Sequence, residues 1–172
     1  MIAVNLFRAR STNEATELTR KVLLDYGATW AVTDSEFSDN STEFVKEAKS
    51  AGPIRLALNC LGGEPAILLI KSLADRGTLV SYGAMTRSPM PVPVGPLIYR
   101  DIRLRGFWIS AWIEQQPPST VREMYTQLSA WFSEGSLRPS PYAEFPLEDW
   151  KKAIDMAKFD DSEPTGIRKR SF

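Results

Sequence analysis

Two arginines, Arg8 and Arg10, flank Ala9 directly after an apolar run at residues 2–7 that reads as a strand. A guanidinium is a planar fork of donors, well matched to phosphate oxygens. In dinucleotide-binding sheets a strand end of this kind meets the adenosine ribose. A carboxylate there takes the 2′-hydroxyl of NAD, and an arginine accommodates the 2′-phosphate of NADP. No acid occurs here until Glu14. Residue type therefore fits a 2′-phosphate better than a 2′-hydroxyl, and two solvated surface arginines are the plain alternative.

Two further segments suit a planar ligand. Tyr82, Gly83, Ala84 and Met85 follow a short apolar run, and Gly83 would let a flat ring approach the backbone. Phe107, Trp108, Ile109 and Ser110 end another run. Their aromatics would wall a pocket and their amides would meet a carboxamide, or they would pack against a partner chain. A strand-to-loop glycine is the plain alternative for Gly83.

Cys60 is the only cysteine and there is no histidine. That removes an internal disulfide, most structural zinc sites, and the Ser-His-Asp and Cys-His nucleophilic systems. No metal site is expected. Cys60 has no basic neighbour in sequence and reads as a buried strand-end thiol. Formal net charge is zero, from 21 basic and 21 acidic residues, so no electrostatic case exists for nucleic acid or an anionic membrane. No apolar stretch is long enough for a spanning helix.

The elements that must position these residues alternate. The pattern predicts strands over 2–7, 29–33, 54–60, 78–82 and 102–108. Ser11-Thr-Asn-Glu14 reads as a capping box for a helix with Ala15, Leu18, Val22 and Tyr26 on one face, stopped by Gly27. Residues 34–40 read as a polar loop and 41–50 as a helix. The run at 54–60 is nearly continuous in apolar character, as for a strand covered on both faces. A helix over 64–76 buries Ile67, Leu68, Ile70 and Leu73. Residues 86–96 are proline-rich and read as a loop leading to a short turn over 97–100. Thr120-Val-Arg-Glu123 reads as a second capping box, and 146–159 as a last helix. The class is α/β with parallel strands, and ligands in such sheets bind beyond the carboxyl ends of the strands.

Asn59-Cys-Leu-Gly-Gly63, Gly77-Thr-Leu-Val-Ser-Tyr-Gly-Ala-Met85, Leu104-Arg-Gly-Phe-Trp-Ile-Ser110 and Phe145-Pro-Leu-Glu-Asp-Trp150 occur in that order. Their spacing resembles the medium-chain dehydrogenase/reductase superfamily. The Phe-Trp-Ile-Ser segment, with Leu97-Ile-Tyr-Arg-Asp101 before it, looks most like its mitochondrial 2-enoyl thioester reductase branch. The resemblance implies NADPH-dependent reduction of trans-2-enoyl thioesters, carried on coenzyme A or acyl carrier protein, in mitochondrial fatty acid synthesis. It places Arg8, Ala9 and Arg10 at the 2′-phosphate, with residues 82–85 and 107–110 beside the nicotinamide half. It implies a homodimer through the edge strand over 102–108, and a mitochondrial location, though no presequence is visible.

Against a complete member, the chain is expected to be an incomplete Rossmann-type parallel sheet that lacks its first strand. Residues 1–135 would be a partial NADP-binding domain. Residues 136–172 would be a C-terminal segment whose helices return toward an absent catalytic domain carrying the proton donor. No catalytic residue is therefore assigned. No glycine-rich loop opens the first helix, since residues 11–14 contain no glycine, so the chain alone is expected to bind NADPH weakly and not to turn over. An NADPH:quinone-type reductase of the same superfamily is a further reading, as is a non-catalytic nucleotide-binding or dimerisation module.

Overall fold

Strand β1 (Val4–Phe7) lies parallel to β2 (Trp30–Thr33), in register Val4 with Trp30. Helix α1 (Asn13–Asp25) connects them. Its cap is Thr12, whose hydroxyl accepts from the Ala15 amide at 3.1 Å; a hydroxyl one residue later than expected satisfies an otherwise orphaned first-turn donor. The buried stripe is narrower than the periodicity predicts. Ala15 and Thr19 are buried, one turn apart, whereas Leu18 and Tyr26 are exposed. Thr19 is tolerated there because its hydroxyl donates to the Ala15 carbonyl at 2.9 Å. Gly27, at φ 96°, ends the element in a conformation that glycine adopts freely.

The structure, a computed structural model, describes residues 3–7, 12–39, 46–47, 50–138 and 144–157. These fall into two compact units, one of residues 3–33 with those from 124 onward, the other of residues 34–123.

The second unit holds the larger sheet, in order β3-β4-β5 and parallel throughout. It comprises β3 (Leu56–Asn59), β4 (Thr78–Ser81) and β5 (Arg103–Gly106). Before it, Asp34–Asp39 forms helix α2 where a polar loop was expected. One fully buried side chain, Phe37, anchors this otherwise polar turn. The helix expected over 41–50 lies largely outside the described residues.

Helix α3 (Pro65–Ser72) carries its proline at the N-terminal turn, where the missing N–H costs nothing. It stops at Leu73, which turns extended (φ −62°, ψ 143°), rather than running to residue 76. The turn is held from outside. The Arg100 guanidinium donates to the Leu73 carbonyl and, at 2.9 Å, to Asp75. Arg100 closes helix α4 (Val94–Arg100), an element longer than the expected turn. The core of the unit is Ala57, Ala66, Ile70, Leu73, Leu79 and Ile102, with Leu97 and Leu104 packed against it.

Strand β3 is covered on one face only. Ala57 and Asn59 are buried, while Leu56 and Leu58 are 57% and 60% exposed. The apolar run at 54–60 had implied cover on both. Past β5 come helices α5 (Ile109–Gln115) and α6 (Pro118–Ser133). Because α6 starts at Pro118, Thr120 sits inside the helix and caps nothing. A short 3₁₀ turn (Leu147–Asp149) leads into α7 (Trp150–Ala157).

Candidate functional site

Strand β3 ends in Asn59, a buried polar residue at 2% exposure. Its Oδ1 accepts from the amides of Leu61 and Gly62, each at 3.2 Å. Its Nδ2 donates to Ser81 Oγ at 3.1 Å and lies 3.7 Å from Met90 Sδ. Two amides can only donate, which fixes which way the carboxamide faces. All four of its hydrogen-bonding positions are used, the condition for burying such a group.

The turn it holds is unusual. Gly62 and Gly63 are both left-handed, at φ 75° and 61°. The far side of that turn is held by Thr86, whose amide and hydroxyl both donate to the Leu61 carbonyl, at 3.0 and 2.8 Å. The Met85 amide donates to the Cys60 carbonyl at 3.1 Å. The segment after β4 is thus laid across the segment after β3.

Gly83 stands at the tightest point. A Cβ there would come within 2.9 Å of the Cys60 carbonyl oxygen and 3.3 Å of its Cα. The physical reason for glycine is therefore backbone against backbone. The sequence had left two readings open, approach by a flat ligand and an ordinary strand-to-loop glycine.

The third segment joins through Ser81, whose carbonyl accepts from the Phe107 amide at 2.9 Å. Residues 82–85 and 107–110 therefore stand at the carboxyl ends of adjacent parallel strands. Because the Phe107 amide is engaged, any contact from this segment's backbone to a carboxamide falls to Trp108, Ile109 or Ser110. Phe107 and Ile109 are 42% and 46% exposed and Trp108 is 72% exposed, as is Met85 at 70%. Arg8, Ala9 and Arg10 lie outside the described residues. Phe7, just before them, ends β1.

Cys60 is a free thiol, half-buried where full burial was expected. It is the hydrogen-bond partner that chiefly raises the Tyr82 phenol above its ordinary value, with burial and the repulsion of a Cys60 thiolate adding to this. A folded-state value above the unfolded one means the folded protein holds this proton longer. The associated stability is complete below about pH 10 and is lost as pH rises through the folded value. Cys60→Ala is expected to bring Tyr82 ionisation to lower pH, read as the phenolate absorbance that Tyr82→Phe removes.

Asn59 was not singled out in the sequence. The signal was present: an asparagine at a core-face position of an apolar strand, three residues ahead of Gly-Gly. Among the described residues no three of His, Cys, Asp and Glu group closely enough to hold a metal ion, and no helix is long and apolar enough to cross a membrane.

Residues 12–134 match the family model described as zinc-binding dehydrogenase. The chain is 39% identical over 160 residues to the mitochondrial enoyl-[acyl-carrier-protein] reductase of Caenorhabditis elegans, a match covering 91% of this chain and 44% of that protein. Among solved structures, the mitochondrial 2-enoyl thioester reductase Etr1p/Etr2p heterodimer from Candida tropicalis superposes with a TM-score of 0.77 at 25% identity, over 92% of this chain and 45% of that one. A complex of Etr1p with NADP and crotonyl-CoA gives 0.76 at 25% identity, with the same coverage. The chain thus spans less than half the length of the relatives it matches.

Proposed function

We propose, from the premise that this chain belongs to the zinc-binding dehydrogenase family, that it supplies the NADPH-binding part of a mitochondrial 2-enoyl thioester reductase. The reaction is reduction of trans-2-enoyl groups on coenzyme A or acyl carrier protein, in fatty acid synthesis. The observation that carries this reading is the joining of three strand ends. Asn59, Ser81 and Phe107 hydrogen-bond β3, β4 and β5 into one rim bearing Gly83, Met85 and exposed aromatics. A rim of glycine and aromatic residues at the carboxyl ends of parallel strands suits a flat heterocycle.

Bound NADPH supplies the hydride. Residues 82–85 hold the nicotinamide half and Phe107 with Trp108 shield it from water. Arg8 and Arg10, with Ala9 between them, take the 2′-phosphate from the connection after β1. Residues 1–135 belong to the cofactor domain and 136–172 to the C-terminal segment of the catalytic domain. Zinc, implied by the family description, does not fit these residues: the chain has no histidine and one cysteine, and among the described residues no three of His, Cys, Asp and Glu group closely enough to hold a metal ion.

The isolated chain is expected to bind NADPH with Kd on the order of 1 mM. NADH should bind about tenfold more weakly, a difference worth ~1.4 kcal/mol. Replacing Arg8 and Arg10 together by alanine should erase that difference, and crotonyl-CoA should not be turned over above background. NMR titration measures the affinities and NADPH absorbance the turnover. Equal affinity for the two nucleotides, or turnover, would overturn this account.

The homodimer is proposed through β5, which stands at the edge of its sheet. The Arg103 and Phe107 amides donate back to β4's side, so by alternation the Gly106 N–H points outward. Nothing lies within 4 Å of a Cβ at Gly106. Gly106→Pro should therefore abolish dimer in sedimentation while sparing the fold.

A further inference from the structure

We propose that Asn59 is a positioning residue for the nicotinamide-side rim: its carboxamide sets the spacing and attitude of residues 60–63 and 82–86, without itself touching the ligand. This rests on the functional reading above, and it deepens that reading by naming what holds the rim in shape.

Asn59 occupies the same face of β3 as Ala57, which belongs to the apolar core. Packing alone would be served there by an aliphatic side chain. A carboxamide instead joins three segments at once: the Leu61–Gly62 amides, the Ser81 hydroxyl at the end of β4, and Met90 in the proline-rich connection. The Asn59 backbone carbonyl accepts from the Tyr82 amide at 3.0 Å. A fully satisfied buried network of this kind fixes geometry more than it adds stability.

The turn needs such a tie because two consecutive left-handed glycines have many other conformations open to them. Freed, Cys60 would no longer present its carbonyl to both the Met85 amide and the backbone at Gly83. The ligand-facing segment after β4 would then lose its floor.

The test uses the full chain and two half-ligands, reduced nicotinamide mononucleotide and adenosine 2′,5′-bisphosphate, each followed by NMR. In Asn59→Leu the Leu61 and Gly62 amides should exchange with solvent about tenfold faster, while the Val80 amide within β4 is unchanged. Affinity for the nicotinamide half-ligand should fall about tenfold, with the adenosine half-ligand unaffected. Ser81→Ala, which removes one of the two acceptors of Nδ2 together with the hydroxyl's own 3.9 Å contact to Met90 Sδ, should give a smaller loss in the same direction and carries the test if the leucine variant does not fold. Unchanged amide exchange overturns the proposal. So does freed exchange with nicotinamide affinity kept within about twofold, which would make Asn59 structural only. If the unaltered chain responds to neither the nicotinamide half-ligand nor NADPH, the functional reading fails by itself. The exchange measurement then decides whether Asn59 ties the rim.

Discussion

Gly83→Val is expected to cost about 1–3 kcal/mol of stability, the range for forcing atoms into occupied space, and to remove binding of reduced nicotinamide mononucleotide. The first new atom, the Cβ, would lie 2.9 Å from the Cys60 carbonyl oxygen. That obstacle is backbone, and it is pinned: the same carbonyl accepts from the Met85 amide, and the turn beyond it is held by Asn59 and Thr86. No rotamer change relieves it. Relief comes only by spreading the ends of β3 and β4, which is where residues 82–85 are presented. Gly106→Ala is the matched control, since its Cβ would meet nothing within 4 Å, and its stability should shift by no more than about 0.5 kcal/mol. Urea denaturation followed by tryptophan fluorescence measures both, and an equal shift for the two variants would refute the close-approach account.

The parts of this fold legible in the sequence are those where pattern and packing coincide. The runs at Leu56, Thr78 and Arg103 end where glycine or a turn ends them, and the parallel pairing of the first two follows from the helix between them. What escaped the pattern was decided elsewhere. Helix α2 depends on one apolar residue, Phe37, in a polar stretch, and no periodicity reveals a single anchor. The end of α3 is set by Arg100, which reaches the Leu73 carbonyl from 27 positions away. Leu56 and Leu58 illustrate the opposite error: an apolar run states what a strand can bury, but which faces are covered depends on neighbours. At the candidate site, the glycine and aromatic segments read from the sequence follow the ends of adjacent parallel strands. Asn59 stayed hidden because its meaning lies in four partners brought together only by folding.

Ile70→Ala is expected to lower stability by about 2–5 kcal/mol, the range for truncating a fully enclosed aliphatic side chain. Ile70 is 0% exposed and packs in one cluster with Ala57, Ala66, Leu73, Leu79 and Ile102. It lies on α3, whose only role in the candidate site is to back β3 and β4. The loss should therefore appear in the urea midpoint, with the slope unchanged. Under native conditions, affinity for reduced nicotinamide mononucleotide should stay within about twofold of the unaltered chain, because the ties through Asn59, Thr86 and Ser81 are untouched. Leu58→Ala supplies the contrast on the sheet: with that side chain 60% exposed, it should cost about 0.5 kcal/mol or less. A large loss there would mean that the second face of β3 is covered in solution. An affinity loss in Ile70→Ala as large as that in Gly83→Val would mean that the core, and not the hydrogen-bonded rim, sets the geometry of the site.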